Sequence, residues 1–162
     1  MNNDILVRKA ENKDIERILE LLTEVNHVHA EKRPDLFIDG RRKYEKEDLK
    51  EILSDPSRPV FVAALKDNDL VIGYAMTEIT KSNGKRSLTK RTDLYIDDIC
   101  VDENSRRMGV GEKLFGYVKE YAKKIGCHSV TLHVWECNPG ARVFYEKMGM
   151  KPYLTAMETI LD

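Results

Sequence analysis

Apolar and polar positions along the chain switch between two periods, and the switches mark its elements. Ile5 to Lys9 reads as a short strand. Asn12 then offers an N-cap, and Ile15, Ile18, Leu19 and Leu22 fall on one helical face. Pro34 must lie beyond that helix, so Arg33 to Phe37 is predicted to be a loop with apolar anchors. Tyr44 to Leu53 predicts a second helix, stopped by Ser54-Asp55-Pro56. Pro59 to Lys66 and Leu70 to Thr80 form the arms of a hairpin turning at Asp67-Asn68-Asp69, followed by a polar loop from Lys81 to Arg91. Leu94 to Val101 is the next strand. Val110, Leu114, Val118, Tyr121, Ala122 and Ile125 form the core-facing stripe of a third helix, with Lys123 and Lys124 in its last turn and Gly126 as its cap. Ser129 to Trp135 alternates like a half-buried strand. Asn138-Pro139 opens a last helix that Gly149 ends, and Tyr153 to Leu161 predicts one or two closing strands. The order β-α-α-β-β-β-α-β-α-β implies an α/β fold, a mixed sheet with helices on its faces. No repeat, low-complexity stretch or linker interrupts it, so residues 1–162 are expected to form a single domain.

Composition narrows the partners. The 27 basic and 28 acidic residues leave a net charge of −1, which gives no global field to draw nucleic acid or an anionic membrane. The longest apolar run, Val60 to Leu65, is too short to span a bilayer. Met1-Asn2-Asn3-Asp4 does not begin a secretory signal. Three cysteines are an odd count without zinc spacing, so free thiols in a reducing cytoplasm are expected, and no metal.

Chemistry concentrates where the strand ending at Val101 meets the third helix. Arg106-Arg107-Met108-Gly109-Val110-Gly111 has the makings of a pyrophosphate cradle. N–H groups at a helix N-terminus lack intrahelical partners, and the helix dipole favours an anion there. Glycines admit the anion close to the main chain, and arginines can add charge-assisted hydrogen bonds. Neither the dinucleotide-binding Gly-x-Gly-x-x-Gly nor the P-loop Gly-Lys-Ser/Thr ending is present.

A second motif follows at the last helix, Asn138-Pro139-Gly140-Ala141-Arg142-Val143-Phe144-Tyr145-Glu146-Lys147-Met148-Gly149. With the Arg106–Gly111 junction, in this order and at this separation, it resembles the GNAT superfamily of N-acetyltransferases. That resemblance implies a GNAT-like acyl-CoA N-acyltransferase fold, with a central mixed, mostly antiparallel sheet flanked by helices. It implies acetyl transfer from acetyl-CoA to a primary amine, without a metal and without an acyl-enzyme. By position, N–H groups of Arg107, Met108, Gly109, Val110 and Gly111, with Glu112 next to them, resemble the pyrophosphate site, and Arg106 takes the leading Arg/Gln position. Ile99, Cys100 and Val101 resemble the strand edge that pairs with pantetheine, and Asn138 the residue that contacts its arm. Tyr145 resembles the tyrosine at the departing thiolate. Arg107 departs from the family, where glycine is most frequent. A small-molecule amine is the favoured acceptor. A protein or peptide lysine or N-terminus, and a non-catalytic CoA-binding regulatory module, are the alternatives. A homodimer is expected by analogy alone.

The residues themselves leave several roles open. Freeing the lone pair of a lysine-like amine at pH 7 costs about 4–5 kcal/mol, and a carboxylate acting through water is one solution. Asp97 and Asp98 are the candidates, inside an otherwise apolar strand. Strand alternation would place them on opposite sides, so that only one faces the acceptor. The resemblance to diamine acetyltransferases, which carry Glu-Asp here, favours Asp97 as base; binding the acceptor's cation or capping a helix is the plainer role. Ala141, Phe144, Tyr145 and Met148 have the spacing of a core stripe, so periodicity alone makes Tyr145 a packing residue. Cys100 and Cys137 have no histidine tied to them by local spacing and are expected to be buried, inert thiols. His27 and His29 lie two apart on the first helix and share no face, which argues against a metal. Their region, with Phe37, matches the family's acceptor-binding side. His128 and His133 are expected to be structural or exposed. The basic run Lys85 to Arg91 lacks interleaved aromatics and reads as a solvated loop.

Overall fold

The computed structural model of the protein describes residues 4–161; the reading of Met1–Asn3 lies outside them. Five strands form one sheet in the order β1-β2-β3-β4-β5: β1 Ile5–Lys9, β2 Val60–Leu65, β3 Val71–Asn83, β4 Lys90–Val101 and β5 Ser129–Leu132. The first three pairings are antiparallel and only β4 with β5 is parallel. Helices α1 (Ile15–Lys32) and α2 (Lys46–Ser54) cover one face, α3 (Val110–Lys124) covers the other, and α4 (Pro139–Lys147) follows β5. The expected mixed, mostly antiparallel sheet with flanking helices is present.

Two core layers explain the sequence pattern. Ile15, Ile18, Leu19, Leu22, Leu49 and Ile52 pack on Val60, Val62, Tyr74 and Met76. On the other face Val110, Leu114, Phe115, Val118 and Ala122 pack on Phe61, Ala63, Ile72, Ala75, Leu94 and Ile96. Strand β2 is buried on both sides, hence its uninterrupted apolar run.

Several boundaries differ from expectation. The first cap is Glu11, in a reciprocal capping box with Asp14, and it heads a 3-10 turn over Asn12–Asp14; Asn12 is therefore inside the turn. Asp14 is buried because it also takes a two-pronged ion pair from Arg8 of β1, at 2.7 and 3.0 Å. Helix α2 begins at Lys46 behind a Glu45–Asp48 capping box, which leaves Tyr44 free of the helix. Both ends of the expected polar loop Lys81 to Arg91 are strand, because β3 runs to Asn83 and β4 starts at Lys90. Ile125 is exposed beyond the α3 stripe. Strand β5 stops at Leu132, and Tyr153 to Leu161 forms no strand; this segment is exposed and outside the sheet. Its apolar residues have strand periodicity, but no neighbouring strand supplies the hydrogen bonds that would make one.

Helix α3 sits unusually close to the sheet at Gly73. A Cβ there would lie 2.9 Å from the Cys100 carbonyl oxygen, 3.1 Å from Leu114 and 3.2 Å from Val110. The bare backbone of β3 thus sets the depth of the first turn of α3. Replacing Gly73 by Ala should cost about 1–3 kcal/mol by overpacking, read as a lower urea midpoint at unchanged m-value; an unchanged midpoint would refute this account.

Candidate active site

Strand β4 ends against a buried anchor. The Asp102 carboxylate accepts from the Asn104 N–H at 2.8 Å and pairs with Arg17 of α1. Arg17 also donates to the Val71 carbonyl at 3.1 Å. From this clamp the chain turns through exposed Arg106 and Arg107 into α3. Arg107 has φ +65° and Gly109 φ +75°, both left-handed. A side chain in that region costs about 1–2 kcal/mol, which is the physical reason glycine suits position 107. Nothing stands within 4 Å of where a Gly109 Cβ would be.

The N-terminus of α3 has no side-chain cap. That of α4, by contrast, is closed by Asn138, whose Oδ1 accepts from the Ala141 N–H at 3.3 Å. The first-turn N–H groups of Val110, Gly111 and Glu112 therefore face the open space above Gly109. Phe144 of α4 packs so closely on Gly111 that an added Cβ would meet its ring at 3.1 Å. The two motifs are thus in direct contact. These residues fit a diphosphate: free main-chain donors, a left-handed glycine and two exposed arginines.

The parallel β4–β5 ladder ends at Ile96↔Leu132. Past that point Asp98–Val101 pairs only with β3, and the outer edge of this stretch is available to another extended chain. A bulge falls at the same place. Met76 pairs with Asp98 and Thr77 with Ile96, so Asp97 is the extra residue. This overturns the expectation that Asp97 and Asp98 face opposite sides. Asp97 accepts from Lys43 Nζ and from the Tyr44 hydroxyl, each at 2.7 Å. Asp98 accepts from Tyr74, a residue of the α1/α2-side core, at 2.8 Å. Both carboxylates therefore lie on the α1/α2 side.

Their surroundings differ. Burial raises the Asp98 carboxyl above the usual range, against the lowering effect of the Tyr74 bond. Burial and the Asp97 carboxylate push the Tyr44 hydroxyl up to about 12, so it stays a donor; Arg58 braces its oxygen at 3.1 Å. Tyr145 is half-buried, packed 5.3 Å from the Phe144 ring and 6.3 Å from Phe115. It is thus part of the α3-side core, as its periodicity indicated. Burial and the negative charge of Asp98 raise its pKa further above the ordinary value of about 10.

The remaining candidates divide. Cys100 is buried, donates to the Leu21 carbonyl at 3.7 Å, and is pushed up to about 12 by burial. Such a thiol is a poor nucleophile. Cys137 is half-exposed, not buried. His29 stacks on Phe37 at 5.0 Å, and Phe37 meets Trp135 edge-on at 5.1 Å. This joins the loop after α1 to the loop after β5. His27 is exposed and bound to Asp39 at 2.8 Å. His133 is exposed, 3.3 Å from the Tyr95 hydroxyl. Among the described residues no cluster of His, Cys, Asp or Glu could hold a metal, and no helix is long and apolar enough to cross a membrane.

Lys43, Tyr44, Arg58, Tyr74 and Trp135 escaped the sequence reading. The pattern places Tyr44 in a helix and assigns no element to Lys43. A cavity of about 1260 Å³ lies elsewhere, along the bare edge of β5 between Phe115, Leu132, Met148 and the segment 150–158. Its lining includes neither Asp97 nor Asp98 nor the Arg106–Glu112 turn, but it includes Tyr145 and Trp135.

Comparison with known proteins gives the family and the fold. The profile of the acetyltransferase (GNAT) family matches residues 22–150, and the chain belongs to that family. It is an acetyltransferase. A thialysine N-epsilon-acetyltransferase from Bos taurus is 28% identical over 155 residues, covering 90% of this chain and 83% of that one. A glucosamine 6-phosphate N-acetyltransferase from Arabidopsis thaliana is 32% identical over 68 residues, covering 42% of this chain and 44% of that enzyme. The structure of a tetramutant of the BH1408 protein from Bacillus halodurans superposes with a TM-score of 0.92 at 24% identity, covering 96% of this chain and 99% of that one. An aminoglycoside N-acetyltransferase in complex with CoA, 17% identical, shares the fold at a TM-score of 0.69 over 97% of this chain and 94% of that one.

The two histidines of α1 should titrate apart. The bond to Asp39 raises the His27 pKa, whereas burial lowers that of His29. The Asp39 contact thus adds stability below the unfolded-state value of about 6.5, which is lost as pH rises through the folded His27 pKa. NMR titration should place His27 above and His29 below about 6.5; the reverse order would refute the assignment.

Proposed function

We propose that the protein transfers the acetyl group of acetyl-CoA to the primary amine of a small molecule, by direct attack. The observation that carries this reading is the alignment of an uncapped α3 N-terminus with the unpaired outer edge of β4, which leads to two carboxylates. The diphosphate rests on the N–H groups of the turn ending at Glu112, with Arg106 and Arg107 alongside. The pantetheine arm runs along Ile99–Val101 towards Asn138. Acetyl-CoA supplies the activated acyl group.

The chain's residues supply the rest. Asp97, on the loop side, receives the proton of the acceptor ammonium, directly or through one water. An N–H of the Ile99–Val101 stretch polarises the carbonyl oxygen. Tyr145 meets the departing sulfur. Its raised pKa makes full proton donation to a thiolate uphill, so its contribution is a hydrogen bond to the developing charge. The buried Asp98–Tyr74 pair holds the floor of the acceptor side.

The small-molecule acceptor is favoured over a peptide by the Phe37–Trp135 contact, which closes the acceptor side where a polypeptide would need an open groove. The relatives named for thialysine and glucosamine 6-phosphate agree with a small amine. A screen of amines with acetyl-CoA, read by thiol release, tests the reading; no turnover with any primary amine would overturn it. Initial velocities should give intersecting double-reciprocal lines, and parallel lines would require an acyl-enzyme. Replacing Tyr145 by Phe should lower turnover by about a hundredfold with little change in acetyl-CoA affinity; unchanged turnover would remove Tyr145 from the chemistry.

A further inference from the structure

Lys43 is a primary amine of the chain's own, and it already occupies the place assigned to the acceptor. Its Nζ lies 2.7 Å from Asp97 Oδ1 and 3.4 Å from the Asp97 carbonyl oxygen. The contact spans 54 residues of sequence, so tertiary folding delivers it. Two anchors hold the loop that carries it: Phe37 against Trp135 at one end, and Tyr44 on Asp97 at the other. The Asp97 side chain is only 15% exposed, while Lys43 is 49% exposed and reaches inward to meet it.

We propose that Lys43 is a site of self-acetylation, in which the protein transfers one acetyl group from acetyl-CoA to its own Lys43 Nζ. The proposal rests on the reading of Asp97 as the group that takes the acceptor's proton. The ammonium of Lys43 gives a proton to the Asp97 carboxylate, and the freed lone pair attacks the thioester carbonyl carbon. An amide C–N bond forms, the C–S bond breaks, and the thiolate leaves with the electron pair. The second proton on nitrogen neutralises the thiolate, giving CoA and acetyl-lysine. No redox partner is needed. Acetyl-lysine carries no charge, so the modified side chain releases Asp97.

Lys50 is the internal control. It too is 49% exposed and ion-paired, to Glu47 at 2.8 Å, but it stands on α2 away from Asp97. The full-length protein is incubated with acetyl-CoA without any amine, and intact mass and peptide mapping are followed in time. The expected result is a single gain of about 42 Da per chain, at Lys43 and ahead of Lys50, with a half-time independent of protein concentration. Lys43→Arg, which keeps the ion pair, should abolish the gain. Asp97→Asn and, if that variant folds poorly, Tyr145→Phe should slow it by about a hundredfold. Equal labelling of Lys43 and Lys50 would mean ordinary chemical acetylation and overturn the proposal. A half-time that lengthens on dilution would overturn the intramolecular route. No gain at Lys43 while added amines are acetylated would overturn self-acetylation and leave the proposed function standing. No gain and no transfer to any amine would overturn both.

Discussion

The parting of β4 from β5 after Ile96↔Leu132 is the constraint on which the site depends. A parallel neighbour continuing past Ile96 would satisfy the outer N–H and C=O groups of Asp97–Val101 and leave no backbone for an extended ligand. The parting works because β4 keeps its partner on the other side, from Gly73 to Asn83 of β3. It is held open by the turn after β5, where Asn138 spends its carboxamide on capping α4 and thereby fixes the helix bearing Phe144 and Tyr145. The contact of Phe144 with Gly111 then ties that helix to the first turn of α3. A change at any of these points moves the cradle and the tyrosine together.

The bulge at Asp97 explains how neighbouring aspartates acquire different chemistry. An extra residue turns both side chains towards α1 and α2, but at different depths. Asp98 sits inward with one neutral donor, Tyr74, and burial disfavours its charge. Asp97 reaches the loop and is met by a cation and a tyrosine held neutral by its surroundings. A carboxylate bound by an ammonium is preorganised to receive one, and exchange of one primary amine for another leaves the charge count unchanged. On the proposed reading, the cost of admitting an acceptor is that of moving Lys43, a half-exposed side chain whose pairing is worth little in water.

Much of the frame was legible because burial wrote it in period. The stripes of α1 and α3 and the two-sided apolar run of β2 follow from helices on both faces of one sheet. The Asn138 cap and the junction after β4 were legible because end groups demand particular residues. The bulge was not, since a register shift depends on two strands and leaves no mark on either alone. Tyr153–Leu161 misled for the converse reason: its apolar spacing suits a strand, but a strand exists only where a partner edge is met. Lys43 and Tyr44 were hidden because their partner is distant in sequence, and a charged stretch before a helix carries no sign of which charge it will meet.

The acceptor side joins opposite tendencies. Asp97 and Asp98 bring negative charge, yet His29, Phe37 and Trp135 build a wall in which burial favours neutral His29. Of the other basic groups nearby, Arg33 pairs with Asp35 and Glu158, and Arg42 with Glu45. A cationic amine is thus drawn to the carboxylate end, while the aromatic wall gains by covering carbon. On the proposed reading, an acceptor with one ammonium and an apolar body would satisfy both ends.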